Sequence, residues 1–288
     1  MSAVNSPVVA ASRLGVARGV LEFKQTLSAP QELIWTFVIN GAFVLVLFFQ
    51  RNSDVDGTAL ALALLTLPSL LGMSIATGGI MGASSIISFH REDGTLLRAK
   101  AIPNGMVGYL VAQIVSASLS TLFGMVLILV PGLFLVDGIT STGLAGWLML
   151  VWVIALGLLA TLPWGAIIGS LVKSAASGFG LTFFPISALI AISGIFYPIT
   201  ALPGWLQSIA QVFPIYWLGL GTRSALLPDS AVTAEIGDSW RHFETIGVLG
   251  AWAVVGFLIA PAVLRRMARG ESGSAMEARK ERALHRGY

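Results

Sequence analysis

The sequence predicts an all-α polytopic membrane protein: six transmembrane helices, an N-terminal interfacial helix and a short outer re-entrant helix. Three observations predict it. Of 288 residues, 56% are hydrophobic and only 11% charged, with a mean hydropathy of +0.84, whereas a soluble domain carries about a quarter charged residues. Six long apolar stretches contain no ionisable residue, and a helix needs about 20 apolar residues to cross a bilayer core. Finally, 14 of the 17 Lys and Arg residues fall on one side of the alternating loops.

The elements follow in order, within a single membrane domain over residues 1–288. The leader, 1–32, shows a helical stripe of Val16, Val20, Phe23 and Leu27, with Arg13, Arg18 and Lys24 off that face. Such a segment lies on the inner membrane surface, and Pro30 marks the turn into the membrane. A six-helix region over 33–264 then comprises Leu33–Phe49, Ala59–Phe89, Met106–Val136, Gly143–Val172, Gly178–Tyr197 and Ile246–Leu264. These runs are continuously apolar, not alternating, which argues against outer-membrane strands. The second to fourth run to about 30 residues and must tilt or project beyond the bilayer. The first stands behind a 32-residue leader, unlike a secretory signal, whose basic region directly precedes its apolar core. Residues 265–288 form a basic tail able to meet anionic lipid.

Apolar burial does not drive helix association in lipid, so small residues must let backbones approach. Ser74–Gly78–Gly82, Ala112–Ser116–Ser120–Gly124 and Gly157–Thr161–Gly165–Gly169 repeat at four-residue spacing and predict packing ridges. After the fifth span, Pro203 suits a first helical turn and Pro214 opposes continuation. Trp205, Leu206, Ile209, Val212 and Phe213 share a face opposite Gln207 and Gln211. About ten residues cannot span, so this segment lies in or dips into the outer leaflet. Tyr197, Trp205, Tyr216 and Trp217 are its expected interfacial anchors.

Charge sets the expected orientation. Arg13, Arg18, Lys24, Arg91, Arg98, Lys100, Lys173 and seven basic residues from Arg265 onward lie on the side of both termini, against Arg51, Arg223 and Arg241 opposite. By the positive-inside rule, both termini are cytoplasmic, in a multi-pass cytoplasmic (inner) membrane protein.

Several chemistries are disfavoured. With no cysteine, thiol catalysis, iron–sulfur clusters and cysteine-ligated zinc are excluded. Ion-coupled transporters rely on ionisable groups at membrane depth, and here all 14 acids, all 17 bases and all three histidines are read into loops or tails. A sodium site of carbonyls and hydroxyls stays open. Asp54-Val55-Asp56-Gly57 has no second acidic cluster to complete a metal site. No Gly-x-x-x-x-Gly-Lys-Ser/Thr phosphate loop occurs, so the chain itself holds no nucleotide through that motif. No metal, cofactor or nucleic-acid partner is expected of this chain.

The most informative stretch joins the second and third spans, Ser88 to Pro103, with Arg91-Glu92-Asp93-Gly94-Thr95-Leu96-Leu97-Arg98 at its centre. Asp93 or Thr95 can cap a short helix that Pro103 limits. Leu96 and Leu97 are expected as apolar knobs on a charged loop, a surface for docking another protein. An acidic residue, Gly-Thr-Leu, a basic residue and a later proline (Glu92, Gly94, Thr95, Leu96, Arg98, Pro103) resemble the coupling loop of ABC-2 type permeases. A second match is Ser193-Gly194-Ile195-Phe196-Tyr197-Pro198, followed by Leu202-Pro203, Trp205-Leu206, Pro214 and Arg223, similar to that family's outer re-entrant region. The resemblance implies a transport subunit with no catalysis of its own. Its partners would be a separate ABC ATPase, which binds ATP and Mg, and a second permease copy or paralogue. The leader lacks the Arg-rich pattern of polysaccharide exporters and looks more like the drug- and antibiotic-exporting branch. That leaning implies multidrug efflux of a hydrophobic or amphipathic substrate. A glycoconjugate exporter, an ion-coupled secondary transporter and a non-transporting scaffold are the alternatives.

Overall fold

The computed structural model describes residues 7–53, 61–139, 143–172 and 175–270. The Asp54–Gly57 turn, Lys173 and the basic residues after 270 lie outside the described residues. Five helices are long and apolar enough to cross a membrane: Pro30–Gln50, Leu62–Glu92, Gly105–Leu135, Gly143–Leu171 and His242–Met267. A shorter apolar helix covers Gly178–Ile192. The fifth expected span therefore stops at Ile192 and not at Tyr197. Gly194 adopts φ 67°, and a left-handed residue of this kind terminates a helix.

We label the helices α1 (Pro7–Ser28), α2 (Pro30–Gln50), α3 (Leu62–Thr77) and α4 (Ala83–Glu92), the last two joined by a π-turn at Gly78–Gly82. There follow α5 (Thr95–Lys100), α6 (Gly105–Leu135), α7 (Gly143–Leu171) and α8 (Ala175–Ile192). The chain ends in α9 (Gly204–Val212), α10 (Pro214–Leu226) and α11 (His242–Gly270). The core lies where α3, α7 and α10 meet, and α11 packs along α7.

The leader is helical, yet its packed face is not the predicted stripe. Gly15 and Gly19 are buried against α6, where an added Cβ would stand 2.5 Å from the carbonyls of Gly108 and Ala112. Val16 is exposed, and Val20, Phe23 and Leu27 are only half-buried. Small residues govern because they let two helix backbones meet, so α1 runs beside the first turns of α6.

The predicted ridges are partly corrected. Gly165 and Gly169 do pack, with Cβ positions 2.5 and 2.6 Å from the carbonyls of Gly79 and Ser84. Gly78 meets Thr121, but Gly82 has nothing within 4 Å. The π-turn inserts a residue into the helical register, so the face that begins at Ser74 and Gly78 does not continue at Gly82. Gly79 takes its place, against Thr161.

Candidate functional site

Two features stand at opposite ends of the bundle. The first is the turn around α5. Asp93 accepts bonds from the Thr95 amide (2.8 Å) and hydroxyl (2.7 Å), fixing the turn into the helix. Gly94 sits at φ 78°, a region that penalises any Cβ and a β-branched one most. Arg98 donates to the Thr95 hydroxyl at 3.0 Å. Pro103 lies past the end of the helix, in a turn closed by Asn104 at φ 54°.

Leu96 is not the exposed knob that the sequence suggested. It is 1% exposed, packed in a cluster with Ile87, Ala99, Tyr109, Leu264 and Met267. On so short a helix one face must be buried to hold it at all, and Leu96 and Ala99 form that face. Leu97 is half-buried, while Glu92, Asp93, Arg98 and Lys100 are exposed. Arg91 points inward instead, donating to the carbonyls of Ser170 (2.8 Å) and Val172 at the end of α7. A cation there satisfies carbonyls that the helix leaves without donors, and it ties α4 to α7. The same end carries a polar strip between α1 and α6: Arg18 pairs with Glu22 at 2.7 Å, and Gln113 donates to Glu22 at 3.1 Å.

The second feature is the re-entrant region. The predicted helix is present as α9, bounded by Pro203 and Phe213. Trp205 is 65% exposed and Tyr197 lies at the surface, as anchors should, with the Tyr197 hydroxyl donating to the Ala191 carbonyl. Pro198 precedes a single 3-10 turn, Ile199–Ala201. Tyr216 and Trp217, also read as anchors, are instead fully buried. They belong to α10, which the sequence reading missed. Pro214 was read as a stop, and it also occupies the first turn of a new helix, where its missing N–H costs nothing. This helix returns along α3: Gly72 abuts the Leu218–Gly219 backbone, and Thr222 donates to the Pro68 carbonyl at 2.6 Å.

At the end of α10, Arg223 is 3% exposed and bonds Glu235, itself 4% exposed, at 2.5 Å. Its other donors reach the Ser69 hydroxyl (2.9 Å) and the Gly194 carbonyl (3.1 Å). One guanidinium thus joins α3, the end of α8, α10 and the loop before α11. The charge reading assigned Arg223 and Glu235 to loops, but both are buried. A rigid five-donor fork suits such a junction better than an ammonium does. The turn between α9 and α10 is also held: Arg241 donates to Gln211 at 2.6 Å and stands 4.8 Å over the Trp217 ring, and Trp252 donates to the Val212 carbonyl at 2.9 Å.

Sequence reasoning also passed over Gln113, although an amide within an otherwise apolar run was a visible signal. Glu235 gave none, since no periodicity relates it to Arg223.

Residues 20–227 match the family model described as ABC-2 type transporter. The matched range takes in α5, α9 and α10 and stops short of α11. None of the curated proteins matches the chain.

Proposed function

Because this chain belongs to the ABC-2 type transporter family, we propose that it exports hydrophobic or amphipathic molecules, driven by a separate ATPase docked on α5. The chain is a multi-pass membrane permease component of an ABC transporter, and such components generally pair with an ABC ATPase. The finer reading is that two permease copies, or a copy and a paralogue, enclose the pathway. Both termini and α5 face the cytoplasm, where the ATPase binds ATP and Mg. Drug-like or antibiotic-like substrates suit spans without ionisable groups.

The observation that supports this reading best is the construction of α5. Its inner face is locked to α4, α6 and α11, while its outer face presents Arg98, Lys100 and half of Leu97, and the turn leading into it exposes Glu92 and Asp93. A push on that outer face reaches three membrane helices at once. Arg91 extends the connection to α7.

Purified alone, the chain is expected to hydrolyse no ATP. Reconstituted in vesicles with its cognate ATPase, it is expected to move a lipophilic dye only when ATP is supplied. Dye movement by the lone chain under a proton or sodium gradient would favour the ion-coupled alternative and overturn the proposal.

A further inference from the structure

The bundle has two firmly tied halves, one holding Arg223 and the other carrying α5. In the Arg223 half, Gly72 abuts the Leu218–Gly219 backbone, Thr222 donates to the Pro68 carbonyl, and Arg223 holds Glu235, Ser69 and Gly194. In the α5 half, Gly169 packs on Ser84, Gly178 packs on Ser88, and Arg91 donates to the Ser170 and Val172 carbonyls. These contacts join α4 to the end of α7 and the start of α8.

Between the halves, three neighbouring helices are interrupted at one depth. The chain passes from α3 into α4 through the π-turn at Gly78–Gly82, in which three of five residues are glycines. Glycine is a poor helix former, and a π-turn departs from the regular hydrogen-bond ladder. Beside it, α7 contains Pro163, flanked by Thr161, which meets Gly79, and Gly165, which meets Gly79 and Ile80. Pro185 lies in α8 two turns beyond Gly178, which packs on Ser88. Two turns back from Ser88 is Met81, so Pro185 comes level with the π-turn, and α8 touches that turn. A proline gives no N–H to the ladder and its ring disturbs the preceding turn. Sharp bends in helices concentrate at prolines and π-bulges. By contrast, α6 has its proline, Pro131, near its far end.

There is also room for movement. A cavity of about 160 Å³ borders this depth, with Ala83, Ile87, Pro163 and Ala166 on one side and Leu110 and Ile114 of α6 on the other. Stiff bodies joined through a few weakened turns close about those turns as hinges. We propose that the π-turn, Pro163 and Pro185 form one hinge layer, about which α4, the end of α7 and the start of α8 tilt as a single body toward α6. Because α5 packs on both α4 and α6, the tilt alters the seat of Leu96. Pro261 interrupts α11 just before Leu264 and Met267, so the part of that helix packed on Leu96 can follow. The hinge belongs to this chain alone, and its test needs neither an ATPase nor transport.

The test uses the full chain in lipid nanodiscs, with spin-label distances read by pulsed electron paramagnetic resonance. The sequence holds no cysteine, so an introduced pair supplies the only thiols. Leu21→Cys on α1, which packs on α6, is paired with Leu171→Cys at the end of α7 or Phe179→Cys at the start of α8; all three residues are more than half exposed. Leu144→Cys with Trp205→Cys reads the Arg223 half. A tilt of about 20° acting over about eight residues, from Pro163 to Leu171, moves the end of α7 by about 4 Å. Both Leu21 pairs are therefore expected to give two populations about 4 Å apart, and the Leu144–Trp205 pair one. Pro163→Ala with Pro185→Ala returns both N–H groups to the ladder and should merge the two populations. Ala166→Phe, which occupies the cavity, should remove the shorter one. A single population in both Leu21 pairs, or two in the Leu144–Trp205 pair, overturns the hinge, and this holds even if a further variant fails to fold. Two populations in only one Leu21 pair overturn the single body. Populations unchanged by the double proline substitution overturn the assignment to Pro163 and Pro185, and a shorter population that survives Ala166→Phe overturns the direction of tilt.

Discussion

Gly94 and Arg223 show how single residues position the two ends of the molecule. At φ 78°, Gly94 occupies a conformation that costs an ordinary L-residue about 1–2 kcal/mol and a β-branched one more. Gly94→Val is therefore expected to lower thermal stability by at least that amount, with Gly94→Asn close to wild type because Asn tolerates the left-handed region. Differential scanning fluorimetry of the purified variants reads this directly. Arg223 poses a different question, because its value lies in a pair. Removing one partner of a buried ion pair costs about 3–5 kcal/mol, while replacing both by apolar residues is often neutral. Arg223→Met and Glu235→Leu should each destabilise strongly, and the double variant should recover most of the loss. A double variant as unstable as the sum of the singles would assign the stability to the Ser69 and Gly194 bonds instead. The sequence revealed Gly94, because a Gly-Thr step entering a helix is a local signal. The Arg223–Glu235 pair was not legible, since it forms through tertiary folding across a non-periodic loop.

At the scale of elements, α5 separates two roles that the sequence had merged. Leu96 is buried in the chain's own core, so Leu96→Ala is expected to cost about 2–5 kcal/mol through lost packing and to lower the amount of folded protein. Leu97 is half-buried, and Leu97→Ala should leave stability nearly unchanged while weakening co-purification of the ATPase. Paired measurements of membrane level and of ATPase retained per permease distinguish the two. If Leu97→Ala together with Arg98→Ala retains the ATPase fully, the outer face of α5 is not the docking surface. The long spans were legible because 20 to 30 apolar residues admit few other readings. Finer structure was not: the π-turn at Gly78–Gly82 shifts a face without changing composition. Likewise, α10 hides behind a proline that both ends one helix and begins another. The packing of α1 was misread for a related reason, since its apolar stripe is outranked by the close approach of Gly15 and Gly19.

At the scale of the whole molecule the decisive question is how many times the chain crosses, and α8 is the element on which it turns. Its 18 residues extend about 27 Å at 1.5 Å per residue, slightly less than a hydrocarbon core of about 30 Å. Contacts at its two ends supply the argument for a sixth crossing. Near its start, Gly178 abuts Ser88, close to the end of α4 that leads into α5. Just past its other end, the Gly194 carbonyl meets Arg223, which also holds Ser69, about two turns into α3. The Leu62–Glu92 helix is 31 residues long, and α8 runs beside it between Ser88 and the level of Ser69, so α8 is expected to cross where α3 and α4 cross. The loop around Asp229 should then lie opposite α5 and opposite the end of α11, whose Leu264 and Met267 pack on the Leu96 cluster. A reporter active only in the cytoplasm is expected to be active after residue 288 and inactive when inserted at Asp229. Activity at both positions would mean that α11 does not cross, and activity at Asp229 alone that α8 does not cross or that the chain is inverted; either result would remove the proposed six-span arrangement.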